Sequence, residues 1–116
     1  MTEQGTLRLG DLAHARSGDK GSGANIGIVA RTAEAYPWLV EHLTAERVAT
    51  WFAPMGPGAV ARYELPNLGA LNFVLPEILD GGGSRNLRID AQGKALGQAL
   101  LEMPVDAPAE LARRQA

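Results

Sequence analysis

The sequence predicts a single sheet with helices packed on it, α+β or α/β, and three observations carry that reading. Runs of β-branched or alternating apolar residues recur at positions 26–30, 59–65 and 85–89. Between them, apolar residues fall at helical spacing around 38–52 and 94–103. Clusters of glycine and proline separate the two kinds of segment. With 116 residues, 46% hydrophobic and 21% charged, the chain fits one domain around one core.

Taken in order, Thr6-Leu7-Arg8-Leu9-Gly10 alternates apolar and polar residues and reads as a half-buried strand. Leu12 continues it on the opposite face, which implies a bend near Gly10. Ile26-Gly27-Ile28-Val29-Ala30 is apolar on both parities, as in a central strand buried on both faces. Gly27 inside it admits close approach of a backbone or a ligand. Pro37 suits the start of a helix carrying Trp38, Leu39 and Leu43, and Thr44 then reads as the N-cap of a second. Val48, Trp51 and Phe52 form its buried stripe, so both tryptophans are expected to supply core.

Ala53-Pro54-Met55-Gly56-Pro57-Gly58 stops that helix. The segment from Ala59 to Leu65 reads as a strand with Ala61, Tyr63 and Leu65 inward and Arg62 and Glu64 outward. Asn67 is a good N-cap for a helix carrying Leu68, Leu71 and Leu75. A strand over 85–89, a turn at 90–93 and a helix from Lys94 with Leu96, Ala99, Leu100 and Met103 follow. Pro104 ends that helix, Val105 suits a short edge strand, and the tail over 106–116 reads as frayed helix or mobile chain.

Composition narrows the chemistry. A net charge of -2, with basic and acidic residues interspersed, argues against nucleic acid as a partner. The absence of cysteine removes disulfides, thiolate nucleophiles and Cys-ligated metal or iron–sulfur sites. There is no signal-peptide pattern and no apolar run near the ~20 residues that span a bilayer, so a cytoplasmic, soluble protein is expected.

The densest functional chemistry lies in Ala15-Arg16-Ser17-Gly18-Asp19-Lys20-Gly21-Ser22-Gly23-Ala24-Asn25, read as a polar loop between two strands. It has more glycines and hydrogen-bonding groups than a turn requires. It is not a Walker loop, because Lys20 precedes Gly21 and Ser22 is displaced. Nor does it match a dinucleotide turn, since position 26 is isoleucine and a strand follows. Two readings stay open. Either Arg16, Ser17, Lys20, Ser22 and Asn25 hold an anionic ligand, or the stretch is an internally bonded loop.

His14, just before it, could act as a base oriented by Asp11 or Asp19, or simply be a hydrogen-bonded histidine at a strand end. No second histidine stands at ligand spacing, so no metal site is expected. Asn72, beside an apolar stripe, either supports packing, holding the glycine-rich stretch, or touches a ligand. Arg85 either pairs with Asp19 or Asp80 or meets an anion.

Several ordered blocks resemble a known family: Leu12-Ala13-His14-Ala15-Arg16-Ser17-Gly18-Asp19-Lys20-Gly21, Ala24-Asn25-Ile26-Gly27, Tyr36-Pro37-Trp38-Leu39, Leu43-Thr44-Ala45-Glu46-Arg47-Val48, Tyr63-Glu64-Leu65-Pro66-Asn67-Leu68-Gly69-Ala70-Leu71-Asn72-Phe73 and Asp90-Ala91-Gln92-Gly93-Lys94. Together they are similar to the AtuA-like ferredoxin-fold domain, over nearly the whole chain. The resemblance implies an α+β, ferredoxin-like sandwich over residues 6–105, with a mostly antiparallel sheet and helices on one face. It implies no cofactor, the name describing topology alone. It also implies an accessory role beside an AtuA-type large chain, or self-association, in breakdown of acyclic terpenes or branched acids through acyl-CoA intermediates.

The family brings no established catalytic residue to this domain. A small independent enzyme, a hydratase or lyase acting on a CoA thioester with His14, Asp19 and Lys20, is one rival expectation. A purely structural oligomerisation domain is the other. Exposed sheet edges lead to an expected homo-oligomer, at least a dimer, when the chain is isolated.

Overall fold

Residues 15–20 and 23–25 of the glycine-rich stretch are strand rather than loop. β1 (Ala13–Lys20) and β2 (Gly23–Ala30) pair antiparallel in unbroken register from Ala13↔Ala30 to Lys20↔Gly23. The structure, a computed structural model, describes residues 7–20, 23–78 and 94–112, without the side chains at 19, 20, 94 and 95. Ser22, Asp80, Arg85 and the strand expected at 85–89 therefore lie outside the described residues. β1 lacked the apolar alternation of a strand because its helix-facing residues are small for a packing reason. At Gly97, on the helix that covers β1, an added Cβ would lie 3.1 Å from both Ala15 Cβ and Ser17 Oγ. Larger side chains at 15 and 17 would push that helix away.

The crossover from β2 runs through α1 (Ala35–His42) and α2 (Ala45–Trp51). Thr44 caps α2 as its sequence suggested, its hydroxyl accepting from the Arg47 N–H at 3.0 Å. The pair supplies core through Leu39, Leu43, Val48 and Phe52, all within 2% of full burial. Burying each of these side chains stabilises the fold by about 1.5–3 kcal/mol. The tryptophans depart from expectation: Trp38 is half-buried and Trp51 is 37% exposed. Trp51 lies across the neighbouring helix instead, its indole N–H donating to the Ala99 carbonyl at 3.1 Å.

A 3-10 helix, Ala53–Met55, and Gly56 at φ 64° turn the chain into β3 (Ala61–Leu65). The facing expected for β3 is reversed. Arg62 points toward the helices and donates to the Val40 and Leu43 carbonyls, both at 2.9 Å, and to Glu64 at 3.1 Å. Tyr63 and Leu65 are exposed, at 55% and 40%. The orphan carbonyls at the end of α1 need donors, and a long arginine at a sheet edge reaches them.

A second correction follows directly. Residues 67–75 are not a helix: a 3-10 helix, Pro66–Leu68, and Gly69 at φ 59° lead into β4 (Ala70–Leu75). Leu68, Leu71 and Leu75 fall at helical spacing by coincidence. The period that folds is two, with Leu71, Phe73 and Leu75 all fully buried.

The sheet order is β1-β2-β4-β3, every neighbouring pair antiparallel. β2 and β3 thus run parallel with β4 inserted between them, a split β-α-β. α3 (Lys94–Leu101) packs on β1 and β2, on the same side as α1. From β2 onward the order is strand, helices, strand, strand, helix, which is ferredoxin-like, with β1 added at the edge from the N-terminal side. β2 is central, but its burial alternates from Ala24 onward: Ala24, Ile26 and Ile28 are buried, and Asn25, Gly27 and Val29 are half-buried. Among the described residues, helices cover one face of the sheet and nothing covers the other.

The ends of the domain close on each other. Residues 9–11 form a 3-10 helix, Leu9–Asp11, where a strand was expected. Among the described residues, ladder pairing here is confined to Arg8 opposite Pro104, with Leu9 N–H donating to Met103 and Val105 N–H donating to Leu7. The tail contains a short 3-10 helix, Ala109–Ala112, and Leu111 and Ala112 pack against the core. Up to residue 112, then, the tail is part of the fold.

Candidate functional site

Register sorts the residues picked out by sequence onto two faces. Three cross-strand rows line the open face, in the order β1, β2, β4, β3: Gly18, Asn25, Val74, Ala61; then Arg16, Gly27, Asn72, Tyr63; then His14, Val29, Ala70, Leu65. Arg16, Asn25, Asn72 and His14 therefore share one surface. Asn25 donates to the Asn72 side-chain oxygen at 3.3 Å, so Asn72 does brace the stretch that carries the glycines, although from a strand.

Ser17 lies on the helix-facing side, where its hydroxyl accepts from the Gly97 N–H at 3.3 Å. That bond, with the close approach at Gly97, makes it a seat for α3. Positions 14 and 19 have opposite parity on β1 and stand five residues apart. His14 is exposed, with Arg31 Nη1 at 3.4 Å from its Nε2, while Arg31 Nε donates to the Gly10 carbonyl. Asp11, the other acid near His14 in sequence, accepts from the Arg8 N–H at 2.8 Å. Among the described residues, no group of three or more His, Asp or Glu could hold a metal ion.

A groove of about 540 Å³ runs over the open face. Its floor is low because Gly27 and Ala70 carry little or no side chain on the two central strands. One wall is His14 and Arg16 on β1; the other is Leu65 and Leu68 beyond β4. The polar groups on one wall and the apolar side chains on the other make the surface amphipathic. Tyr63, Leu65 and Leu68, at 67% exposed, form an uncovered apolar strip at the β3 side. Sequence reasoning missed this strip because it turned Tyr63 and Leu65 inward. The signal available was Leu65-Pro66-Asn67-Leu68, two leucines flanking turn residues at the end of a strand.

A larger groove of about 640 Å³ lies between α2 and the chain after α3, walled by Arg47, Trp51, Pro54 and Pro104. It gathers none of the residues singled out by their chemistry.

An open-faced, four-stranded antiparallel sheet with helices on one side and an amphipathic groove on the other defines a small ferredoxin-like domain. The family model described as AtuA ferredoxin-like domain matches residues 7–106, and the chain belongs to that family. No curated protein and no solved structure matches it. Among the described residues, no helix is long and apolar enough to cross a membrane.

Proposed function

We propose that this chain is the accessory partner of an AtuA-type large chain, and that it docks through the open face of its sheet. Its setting would be the breakdown of acyclic terpenes or other branched acids through acyl-CoA intermediates in the cytoplasm. Family membership supports the choice of partner. The observation that carries the docking mode is the open face itself, with Tyr63, Leu65 and Leu68 uncovered beside His14 and Arg16.

Charge favours a different chain over a second copy. The described positions on this face include two bases, His14 and Arg16, and no acid. Two identical copies placed face to face would bring no carboxylate from these positions to either base, whereas a large chain can supply one. Once covered, the groove becomes an enclosed site to which both chains contribute.

Co-expression tests this. The tagged chain is expected to co-elute with the large chain on size exclusion. Leu68→Asp should weaken the complex by about tenfold or more, as for an interface anchor, and leave the isolated fold intact because Leu68 is mostly exposed. Failure to associate, together with full activity of the large chain alone, would refute the reading.

A further inference from the structure

Among the described residues, nothing pairs with the outer edge of β3. Its ladder is with β4, in unbroken register from Ala61↔Val74 to Leu65↔Ala70, and the strand order ends there. Ala61 and Arg62 are half-buried, and Tyr63, Glu64 and Leu65 are exposed. An edge strand keeps a row of N–H and C=O groups that can template another strand, unless proline, a bulge or a charge guards it. β3 contains neither proline nor bulge between Ala61 and Leu65. Its arginine is spent inward, on the Val40 and Leu43 carbonyls and on Glu64.

We propose that β3 pairs antiparallel with β3 of a second copy of this chain, about a two-fold axis through Tyr63. Charge selects that register. Residues opposite each other in an antiparallel pair share a face of the sheet, so a strand that pairs with its own copy is centred on a residue. Centring on Arg62 or on Glu64 sets a charge against its own like. Centring on Tyr63 sets Arg62 of each copy opposite Glu64 of the other, on the helix side of the sheet. On the open side, Leu65 of each copy falls opposite Ala61 of the other, large against small, and the two Tyr63 side chains are neighbours at the axis. The same register uses all five residues of the strand and is self-complementary, as a two-fold interface must be. It joins the two four-stranded sheets into one. The second copy takes the edge and not the face, so the open face of each copy stays available to a large chain.

The full chain, isolated, is the test object, which keeps the result separate from docking of the large chain. One short strand makes a small interface, so sedimentation equilibrium is expected to give a dimer with Kd on the order of 10–100 μM. Glu64→Arg sets arginine opposite Arg62 and should weaken the dimer by about tenfold or more, with the circular dichroism spectrum unchanged. The chain has no cysteine, so single introduced thiols report the register. Tyr63→Cys brings the two thiols together at the axis and is expected to close a disulfide between copies in glutathione buffer. In Glu64→Cys and Leu65→Cys the thiol-bearing positions stand two and four residues out of register, roughly 8 and 14 Å apart, too far to bridge. Those two variants should stay reduced. A monomer at about 1 mM, a dimer undiminished in folded Glu64→Arg, or cross-linking at 64 or 65 in preference to 63 would each overturn the inference.

Discussion

Arg62 shows how one residue can set the facing of a strand. Its guanidinium holds the Val40 and Leu43 carbonyls at 2.9 Å, and its side chain is 19% exposed. Arg62→Met keeps the apolar stem and removes the donors, so it should lower stability by about 1–3 kcal/mol in urea unfolding. A loss below a few tenths would mean those carbonyls are satisfied by water. Gly97 sits in α3, where alanine ordinarily stabilises a helix by about 1 kcal/mol. Here the added methyl meets Ala15 and Ser17 at 3.1 Å, so Gly97→Ala should destabilise, with a lower thermal midpoint. A rise would show that α3 stands farther from β1. None of these residues announces its role in the sequence, because each depends on what another element brings into contact with it.

At the scale of elements, legibility followed locality. The cap of α2 was readable because Thr44 and the Arg47 N–H are three residues apart and the chemistry is complete within one turn. α3 was readable from Leu96 and Leu100, which the fold buries. β1 was not, because Arg16, Ser17, Gly18, Asp19 and Lys20 have no strand signature of their own. Pairing with β2 supplies their backbone partners, and α3 demands small side chains at 15 and 17. β4 was misread because Leu68, Leu71 and Leu75 fit a helical period as well as Leu71, Phe73 and Leu75 fit a strand. Gly69 at φ 59° separates Leu68 from the strand that holds the other three. The candidate site shows the same division. Arg16, Asn25, Asn72 and Gly27 were all marked by residue type, yet register was needed to bring them to one face and to send Ser17 to the other.

For the whole molecule, the decisive asymmetry is between a covered and an uncovered sheet face. The helices bury Ile26, Ile28, Leu71, Phe73 and Leu75, and nothing among the described residues covers Tyr63, Leu65 or Leu68. The described positions of the open face carry His14 and Arg16 and no acid, in a chain whose net charge is -2. The proposed docking depends on this face through its apolar strip. Hydroxyl-radical footprinting of the chain, alone and mixed with the AtuA-type large chain, tests the central claim most directly. Tyr63, 55% exposed on the open face, and Trp51, 37% exposed on the helix side, are the two reporters. The account predicts that oxidation of Tyr63 falls by several-fold in the mixture while Trp51 is unchanged. Protection of Trp51 with Tyr63 still fully reactive would contradict it.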